Sequence, residues 1–384
     1  MSEPLRILVV EDSQDDTLLL LRELRRGGYE PTFERVDTPE AMSAALDRQE
    51  WDLVVADFSM PRFNALAALE LLKKKGLDLP FIIVSGTIGE ELAVAAMRNG
   101  AQDYIMKGNL ARLVPAVQRE LREAMDRRQR KQAENQLRQT QEQFRVAREI
   151  QQRLFPKFAP IFGPFEIAGA SYPAEATGGD YFDYLPMADG CLGIVIADVT
   201  GHGVGPALLM AETRAYLRTL VTGALDAGEI LTRANRMLAE DVDFERFVTL
   251  MLVKLDAASQ SLVYSSAGHP TGYVLQASGK VKTLLKRTGA ALGVQQDSPY
   301  AEAPAVGLSV GDIVLLLTDG IEEAESPENE LFGVQRILDV VRAHSGATAG
   351  QILEALFSDV RDFSNNQPQL DDLTLVVVKV TAPA

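Results

Sequence analysis

The segment from Gly178 to Gly203 constrains this chain more than any other, because it places two aspartates beside glycines at predicted strand ends. Asp180 follows two glycines, and Asp198 ends the apolar run 191–197 just before the turn 201–203. A strand that carries a carboxylate into a glycine-rich turn is a common way to bind Mg²⁺ or Mn²⁺, which prefer oxygen ligands. An ordinary hairpin with solvated acids has the same pattern, so this segment alone leaves both interpretations open.

Two later segments repeat the arrangement of strand and acid. The apolar residues 315–317 lead through Thr318 to Asp319 and Gly320, and Asp371-Asp372 precedes the apolar run 373–378. Four separate segments therefore offer carboxylates that could meet at one end of a sheet sandwich. Solvated acids explain that set poorly, so the sequence favours a metal site.

Four motifs carry a family resemblance when they are taken together: GGDYFD, ADVTGHG, TDGIEE and DDLTLVVV, in that order. Over about residues 145–381 the chain resembles the metal-dependent PPM serine/threonine phosphatases, and within them the bacterial SpoIIE/RsbU-like branch. The resemblance implies an α+β sandwich of two antiparallel sheets flanked by helices, with two Mn²⁺ or Mg²⁺ ions. It also implies metal ligands at Asp180, Asp198, Asp319, Asp371 and the carbonyl of Val199. Asp372 ranks second as a ligand, and Asp183 is expected to support the site or the fold.

The first part of the chain alternates strands and helices. Strands are predicted at 5–10, 31–36, 53–57, 79–84 and 103–106, with helices between them, the last over 90–97. This order predicts a doubly wound, five-stranded parallel sheet whose site lies at the carboxyl ends of the strands. Polar residues follow the strand ends at Glu11, Asp12, Asp57, Ser85 and Lys107.

This set of residues resembles the receiver domains of two-component response regulators, over residues 5–123. The resemblance implies that Asp57 accepts a phosphoryl group from a cognate histidine kinase, and that Glu11 and Asp12 hold Mg²⁺ together with Asp57. It further implies a conformational switch formed by Ser85, Tyr104 and Lys107.

Between these parts lies a polar segment without glycine from 110 to 154. Leu137, Phe144 and Gln151 have heptad spacing, which predicts a long helix that is marginal as a coiled coil. A solvated spacer and a dimer-forming signalling helix both remain open. The end of the segment, 148–156, resembles the regulatory helix entry of RsbU-like phosphatases. The predicted domains are a receiver at 1–123, a helical linker at 124–156 and a phosphatase at 157–384.

Composition limits the partners. Thirty-eight basic and 54 acidic residues give a net charge of −16, so no basic surplus is available for nucleic acid. No apolar run approaches the ~18 residues of a membrane span, and the first residues lack a signal-peptide pattern. We therefore expect a cytoplasmic protein without a nucleic-acid or membrane partner. The single cysteine, Cys191, excludes an intrachain disulfide and is expected in the core.

The predicted function is a response regulator whose output is a PPM-type phosphatase. The resemblance implies a phosphoserine or phosphothreonine protein as substrate, typically an anti-sigma-factor antagonist of the STAS fold, and a homodimer through the linker helix. Two alternatives remain: a catalytically weak module that sequesters a partner, and a phosphatase whose receiver serves only for dimerisation. General-acid roles for His202 and His269 also stay open.

Overall fold

A computed structural model describes residues 2–61, 63–86, 94, 96–241 and 246–382 of the chain. The chain divides into two compact units, Met1–Gln139 and Thr140–Ala384. The division falls within one long helix, α4 (Leu113–Gln152), which a 3₁₀ turn at Lys107–Arg112 precedes. This helix agrees with the linker prediction, while the predicted domain limits at 123 and 156 stay a prediction.

The first unit contains a five-stranded parallel sheet in the order β2-β1-β3-β4-β5. Its strands are β1 (Glu3–Val10), β2 (Tyr29–Val36), β3 (Leu53–Asp57), β4 (Phe81–Ser85) and β5 (Asp103–Met106). Its helices before α4 are α1 (Gln14–Arg26), α2 (Pro39–Arg48) and α3 (Ala65–Lys74). The predicted doubly wound sheet is confirmed. The helix predicted over 90–97 lies largely outside the described residues.

Local sequence explains these elements. Every residue of β3 and β4 is buried, as expected for central strands covered on both faces. The side chains of Ser13, Thr38 and Asn64 each accept a hydrogen bond from a backbone N–H in the first turn of α1, α2 and α3. Such caps satisfy donors that a helix leaves unpaired, and so fix where each helix begins.

The second unit contains two five-stranded antiparallel sheets, ordered β13-β10-β9-β8-β7 and β12-β11-β14-β15-β6. The strands are β6 (Phe165–Tyr172), β7 (Tyr181–Pro186), β8 (Leu192–Val199), β9 (Val248–Asp256), β10 (Ser261–Ala267), β11 (Gly272–Leu275), β12 (Val281–Leu285), β13 (Val306–Gly307), β14 (Ile313–Leu317) and β15 (Leu373–Val380). The helices after α4 are α5 (Val204–Leu220), α6 (Ala227–Asp241), α7 (Asp319–Glu322), α8 (Gly333–Ala343) and α9 (Ala349–Phe363).

Three apolar clusters hold this unit together. One lies between the sheets and contains Phe182, Ile196, Val314 and Val376. The other two join α5 and α6 to the first sheet, and α8 and α9 to the second. The predicted sandwich flanked by helices is confirmed, although β12, β13 and α7 were not predicted. In the described part of the chain, no helix combines the length and the apolar character needed to cross a membrane.

Candidate functional sites

The receiver acids, Glu11, Asp12 and Asp57, meet at the carboxyl edge of the parallel sheet. Their ligand atoms lie within 4.8 Å of one another. Glu11 and Asp57 are buried, whereas Asp12 is exposed. Asp57 ends β3, and Glu11 directly follows β1, its neighbour in the sheet. The structure therefore brings together the acids that the sequence selected.

Lys107 supplies the positive charge of this site. Its Nζ donates to Glu11 Oε2 at 3.0 Å, to Asp57 Oδ2 at 2.9 Å and to Asp16 Oδ2 at 2.5 Å. Burial alone would lower the pKa of Lys107, but the hydrogen bonds to the three carboxylates raise it above its ordinary value. Sequence reasoning missed Asp16, which lies in the first turn of α1 one helical turn after Asp12.

The predicted switch residues lie on the neighbouring strands. Ser85 ends β4 and is fully buried, and Tyr104 is half-buried on β5. Lys107 follows β5 directly. The structure thus places Ser85 and Lys107 at the strand ends beside Asp57, as the order of the sheet requires.

The phosphatase acids, Asp180, Asp198, Asp319 and Asp371, lie where strands of both sheets end. Asp180 directly precedes β7, and Asp198 lies at the end of β8, opposite Thr249. Asp319 begins α7 after β14, and Asp371 comes two residues before β15, the partner strand of β14. Within the described residues, no three of these carboxylates have ligand atoms all within 4.8 Å. The group is therefore more open than the receiver acids.

Burial, and after it the charges of neighbouring carboxylates, raises the pKa values of all four phosphatase acids. Burial, then the charge of Asp198, raises the pKa of Asp180 well above its ordinary value. Burial and the charges of Asp319 and Asp371 raise the pKa of Asp198 to about 7. Burial is also the main cause of the raised pKa values of Asp319 and Asp371. Mutual repulsion of this kind is relieved by a cation, and carboxylate and carbonyl oxygens are the donors that Mg²⁺ and Mn²⁺ prefer.

Asp372 holds the loop that carries Asp180. Its Oδ1 accepts from the backbone N–H of Ala174 at 2.8 Å, and its Oδ2 accepts from that of Asp180 at 3.2 Å. The loop approaches so closely that a Cβ on Gly178 would lie 2.1 Å from Asp372 Oδ2. Asp372 therefore acts on the loop, and its second rank as a metal ligand stays a prediction.

The Val199 carbonyl also faces this loop. A Cβ on Gly179 would lie 2.6 Å from Val199 O, so only glycine permits this approach. The GG pair of the sequence motif is thus explained by two close contacts, one with Asp372 and one with the Val199 carbonyl.

Thr318 orients Asp180 and was missed by sequence reasoning. Its hydroxyl donates to Asp180 Oδ2 at 2.8 Å, and the residue is completely buried. Thr318 lies between the end of β14 and Asp319, so it connects two of the phosphatase acids. Its position directly before Asp319 was the available signal.

Asp183 belongs to a separate buried network. Its carboxylate accepts from the Tyr181 hydroxyl at 2.7 Å and from two guanidinium nitrogens of Arg218 at 2.7 and 2.8 Å. Arg214 lies 3.7 Å away. This network fastens β7 to α5, which makes Asp183 a structural residue in this arrangement.

The two histidines of the glycine turns differ in exposure. His202 is largely exposed and lies 2.9 Å from Glu175. His269 is buried, and burial lowers its pKa to about 3. Its Nδ1 lies 3.0 Å from the Thr249 hydroxyl. A neutral, buried imidazole fits a structural role better than that of a general acid. Cys191 is half-buried against the core of the first sheet.

The end of α4 contacts the loop before Asp180. The Gln151 side chain is buried; its Nε2 donates to the Gly178 carbonyl at 2.6 Å, and its Oε1 accepts from the Gly178 N–H at 3.1 Å. Arg214 Nε donates to the Leu154 carbonyl at 2.8 Å, and the Phe155 ring lies 5.6 Å from that of Phe182. The segment that follows the helix is therefore packed into the second unit.

Comparison with protein families agrees with this architecture. The model of the Stage II sporulation protein E (SpoIIE) family matches residues 188–381, about half of the chain. The chain belongs to the SpoIIE family. A response regulator receiver domain model matches residues 7–118, so this SpoIIE-family protein also carries a receiver.

The chain is similar to two named proteins and to one solved structure. The chain is 24% identical to protein IcfG of Synechocystis sp. over 97% of its own length and 58% of that protein. It is 26% identical to phosphoserine phosphatase RsbU of Bacillus subtilis, over 61% of this chain and 69% of RsbU. The SiaA-PP2C domain of Pseudomonas aeruginosa shares the fold, with a TM-score of 0.56 and 24% identity over 63% of this chain and 98% of that domain. The predicted resemblance to the SpoIIE/RsbU-like proteins is confirmed.

Proposed function

We propose that this SpoIIE-family chain is a metal-dependent phosphoprotein phosphatase whose activity depends on phosphorylation of Asp57. The observation that carries the proposal is the meeting of the four phosphatase acids at one end of the sandwich, where each has a raised pKa. Buried carboxylates with other negative charges beside them are suited to bind cations.

The residues present fit two divalent ions. Asp180, Asp198, Asp319, Asp371 and the Val199 carbonyl would hold Mn²⁺ or Mg²⁺. Ions bound there would supply the positive charge that phosphoester hydrolysis needs in its transition state. The chain itself orients the donors: Thr318 fixes the Asp180 carboxylate, and Asp372 holds the backbone around it.

The receiver site supports control by phosphoryl transfer. Asp57 is buried beside Glu11 and Asp12, which would hold Mg²⁺, and its Oδ2 contacts Lys107. A carboxylate in this position can attack a phosphoryl group and form an aspartyl phosphate. Lys107 would then offset the added charge, and Ser85 would contact the phosphoryl oxygens. A cognate histidine kinase is the proposed phosphodonor.

Helix α4 is the proposed route of the signal. Gln151 hydrogen-bonds both polar groups of the Gly178 peptide, two residues before Asp180. A displacement of the helix end would therefore change the loop that carries a metal ligand. Leu137 and Phe144 are exposed on the same helix, which supports a homodimer through this segment.

The proposed substrate is a phosphoserine or phosphothreonine protein, of which a STAS-type anti-sigma-factor antagonist is an example. A cytoplasmic location follows from this partner and from the two-component kinase. The name of RsbU, a phosphoserine phosphatase, supports the substrate class.

The test is phosphate release by the purified full chain with Mn²⁺, from p-nitrophenyl phosphate and from a phosphoserine protein. Each assay is run with and without beryllofluoride, which loads Asp57, and repeated with Asp57→Ala. We expect the rate to change on loading in the wild type and not in the variant. A rate that does not change on loading would indicate that the receiver serves only for dimerisation. Absence of hydrolysis despite bound metal would favour the partner-sequestering module.

A further inference from the structure

A cleft of about 550 Å³ adjoins the phosphatase acids. Its lining includes Gly320 and Asp371, so it lies directly beside two of the segments that carry the phosphatase acids. One wall is the loop 323–331, and the other is the end of α9 with the segment 364–370. Its volume lies within the range of about 300–1,000 Å³ that is usual for ligand clefts.

Hydrogen bonds stabilise the first wall, the loop 323–331. The buried Ser326 hydroxyl accepts from the N–H groups of Glu328 and Glu330, both at 3.2 Å. Phe332 N donates to the Ala324 carbonyl at 2.8 Å and closes the loop. The loop therefore has a defined shape before any ligand arrives.

Side-chain contacts just outside the cleft connect its two walls. Phe332, which follows the first wall, packs edge-on against Phe363 at the end of α9, with ring centroids 5.3 Å apart. The Arg336 guanidinium lies 4.6 Å from the Phe363 ring centroid and donates to the Leu331 carbonyl at 2.8 Å. These contacts connect the first wall to the end of α9.

Each wall presents one exposed leucine. The exposed fraction is 51% for Leu331 and 79% for Leu370, and both line the cleft. Leu370 directly precedes Asp371. Just before it, Asn365 and Asn366 have φ values of 51° and 55°, a conformation that asparagine tolerates better than most residues. The chain therefore turns at these two residues, and Leu370, four residues later, is exposed.

The charges of the cleft limit what could occupy it. Outside the metal-binding acid, it contains Glu323 and Glu325 against Arg361. An anionic small molecule would be repelled by this surplus of carboxylate. A neutral or basic peptide segment with an apolar side chain fits both the charge and the two leucines.

We propose that this cleft binds the segment of the phosphoprotein substrate next to its phosphoserine, with an apolar side chain seated between Leu331 and Leu370. The inference rests on the proposed phosphatase function, because a phosphoserine that reaches Asp371 must bring its neighbouring residues over the cleft. The cleft would then select among phosphoproteins by the residues that flank the phosphoserine.

The test uses synthetic phosphoserine peptides in which one leucine is moved through three positions on either side, with serine elsewhere. With the Mn²⁺-loaded full chain, we expect one position to raise kcat/KM about fivefold or more over the leucine-free peptide, since burying a leucine is favourable. Leu331→Asp and Leu370→Asp should each reduce that ratio to about one. The ratio is insensitive to general damage of the metal site, which would lower both rates together.

The matched control is Val310→Asp. Val310 is 54% exposed and precedes β14, whereas the phosphatase acid Asp319 follows that strand. This variant should keep the leucine preference. A preference that survives both cleft variants, or is absent from the wild type while p-nitrophenyl phosphate is hydrolysed, would overturn the inference and leave the phosphatase function intact.

Binding gives a second readout that does not depend on turnover. Fluorescence anisotropy of the labelled peptides with the Asp198→Asn variant should show the same leucine preference, and Asp198→Asn combined with Leu331→Asp should lack it. If the wild type hydrolyses nothing but this preference is present, the proposed function fails while the peptide cleft stands. Equal affinities for all peptides would count against the cleft in either case.

Discussion

The two acid sites of this chain differ in where their positive charge comes from. In the receiver, Lys107 contacts Glu11, Asp16 and Asp57 within 3.0 Å. In the phosphatase unit, none of the four phosphatase acids forms an ion pair with a lysine or arginine among the described residues. One site therefore has a built-in counter-ion, and the other has no lysine or arginine counter-ion among the described residues.

This difference agrees with the proposed chemistry of each site. A receiver must exist in stable unphosphorylated and phosphorylated states, and a lysine can balance the acids in both. A hydrolase that works through divalent ions benefits from donors that are unstable without them. The raised pKa of Asp198, about 7, reflects this instability.

The largest expected effect is at Asp198. Asp198→Asn removes a charged donor, so Mn²⁺-dependent hydrolysis of p-nitrophenyl phosphate should fall at least ~100-fold. Mn²⁺ binding to the phosphatase unit, measured by calorimetry, should weaken in parallel. Asp256→Asn is the control. Asp198 lies opposite Thr249 near the start of the neighbouring strand β9, whereas Asp256 lies at the other end of that strand. Undiminished hydrolysis by Asp198→Asn would contradict the metal assignment.

Replacement of Lys107, the counter-ion of the receiver acids, should also lower the stability of the receiver. Lys107→Met leaves three carboxylates without their shared partner, and we expect the free energy of unfolding of the receiver to fall by about 2–3 kcal/mol. Trp51, the only tryptophan, is buried in the receiver and reports its urea unfolding by fluorescence. Mg²⁺ should reverse part of the loss, and Lys107→Arg should lose less. If the urea midpoint of unfolding of Lys107→Met equals that of the wild type, Lys107 does not stabilise the folded receiver through its three carboxylates.

The buried His269 gives the phosphatase unit a loss of stability near pH 6 that has no histidine counterpart in the receiver, because the three histidines of the chain are His202, His269 and His344. Its pKa is lowered to about 3, so the unfolded chain binds a proton below pH 6.5 that the folded chain does not. This residue should therefore remove about 2 kcal/mol of stability between pH 6.5 and pH 5, and more at lower pH. Asp198, with its raised pKa of about 7, changes the stability in the opposite direction over this range, so the test is the difference between variant and wild type. Relative to the wild type, His269→Asn should gain about 2 kcal/mol between pH 6.5 and pH 5, followed by hydrogen exchange in the phosphatase unit. An unchanged profile would mean that His269 is not held neutral.

The sequence predicted the sheets well because strands such as β3, β8 and β15 are long apolar runs bounded by acids and glycines. The predicted acids also fall at common strand ends, since the sheet order requires it. The short elements β13 and α7 lack any periodic pattern. Contacts between distant parts of the sequence could not be predicted either. Gln151 hydrogen-bonds Gly178, 27 residues away, and Thr318 hydrogen-bonds Asp180, 138 residues away. No spacing rule connects such positions.

The smallest effect is expected at Thr318, and it tests whether the phosphatase acids depend on the fold for their orientation. Thr318→Val keeps the shape but removes the hydroxyl that donates to Asp180 Oδ2. Since loss of a residue that orients a ligand typically weakens metal affinity 10- to 100-fold, we expect about a tenfold rise in the Kd for Mn²⁺. Thr318→Ser should retain most of the affinity, because it keeps the donor. Calorimetric titration distinguishes the two variants. An unchanged Kd in Thr318→Val would indicate that this hydrogen bond does not set the metal affinity, and the contrast with the lysine-held receiver acids would then rest on charge alone.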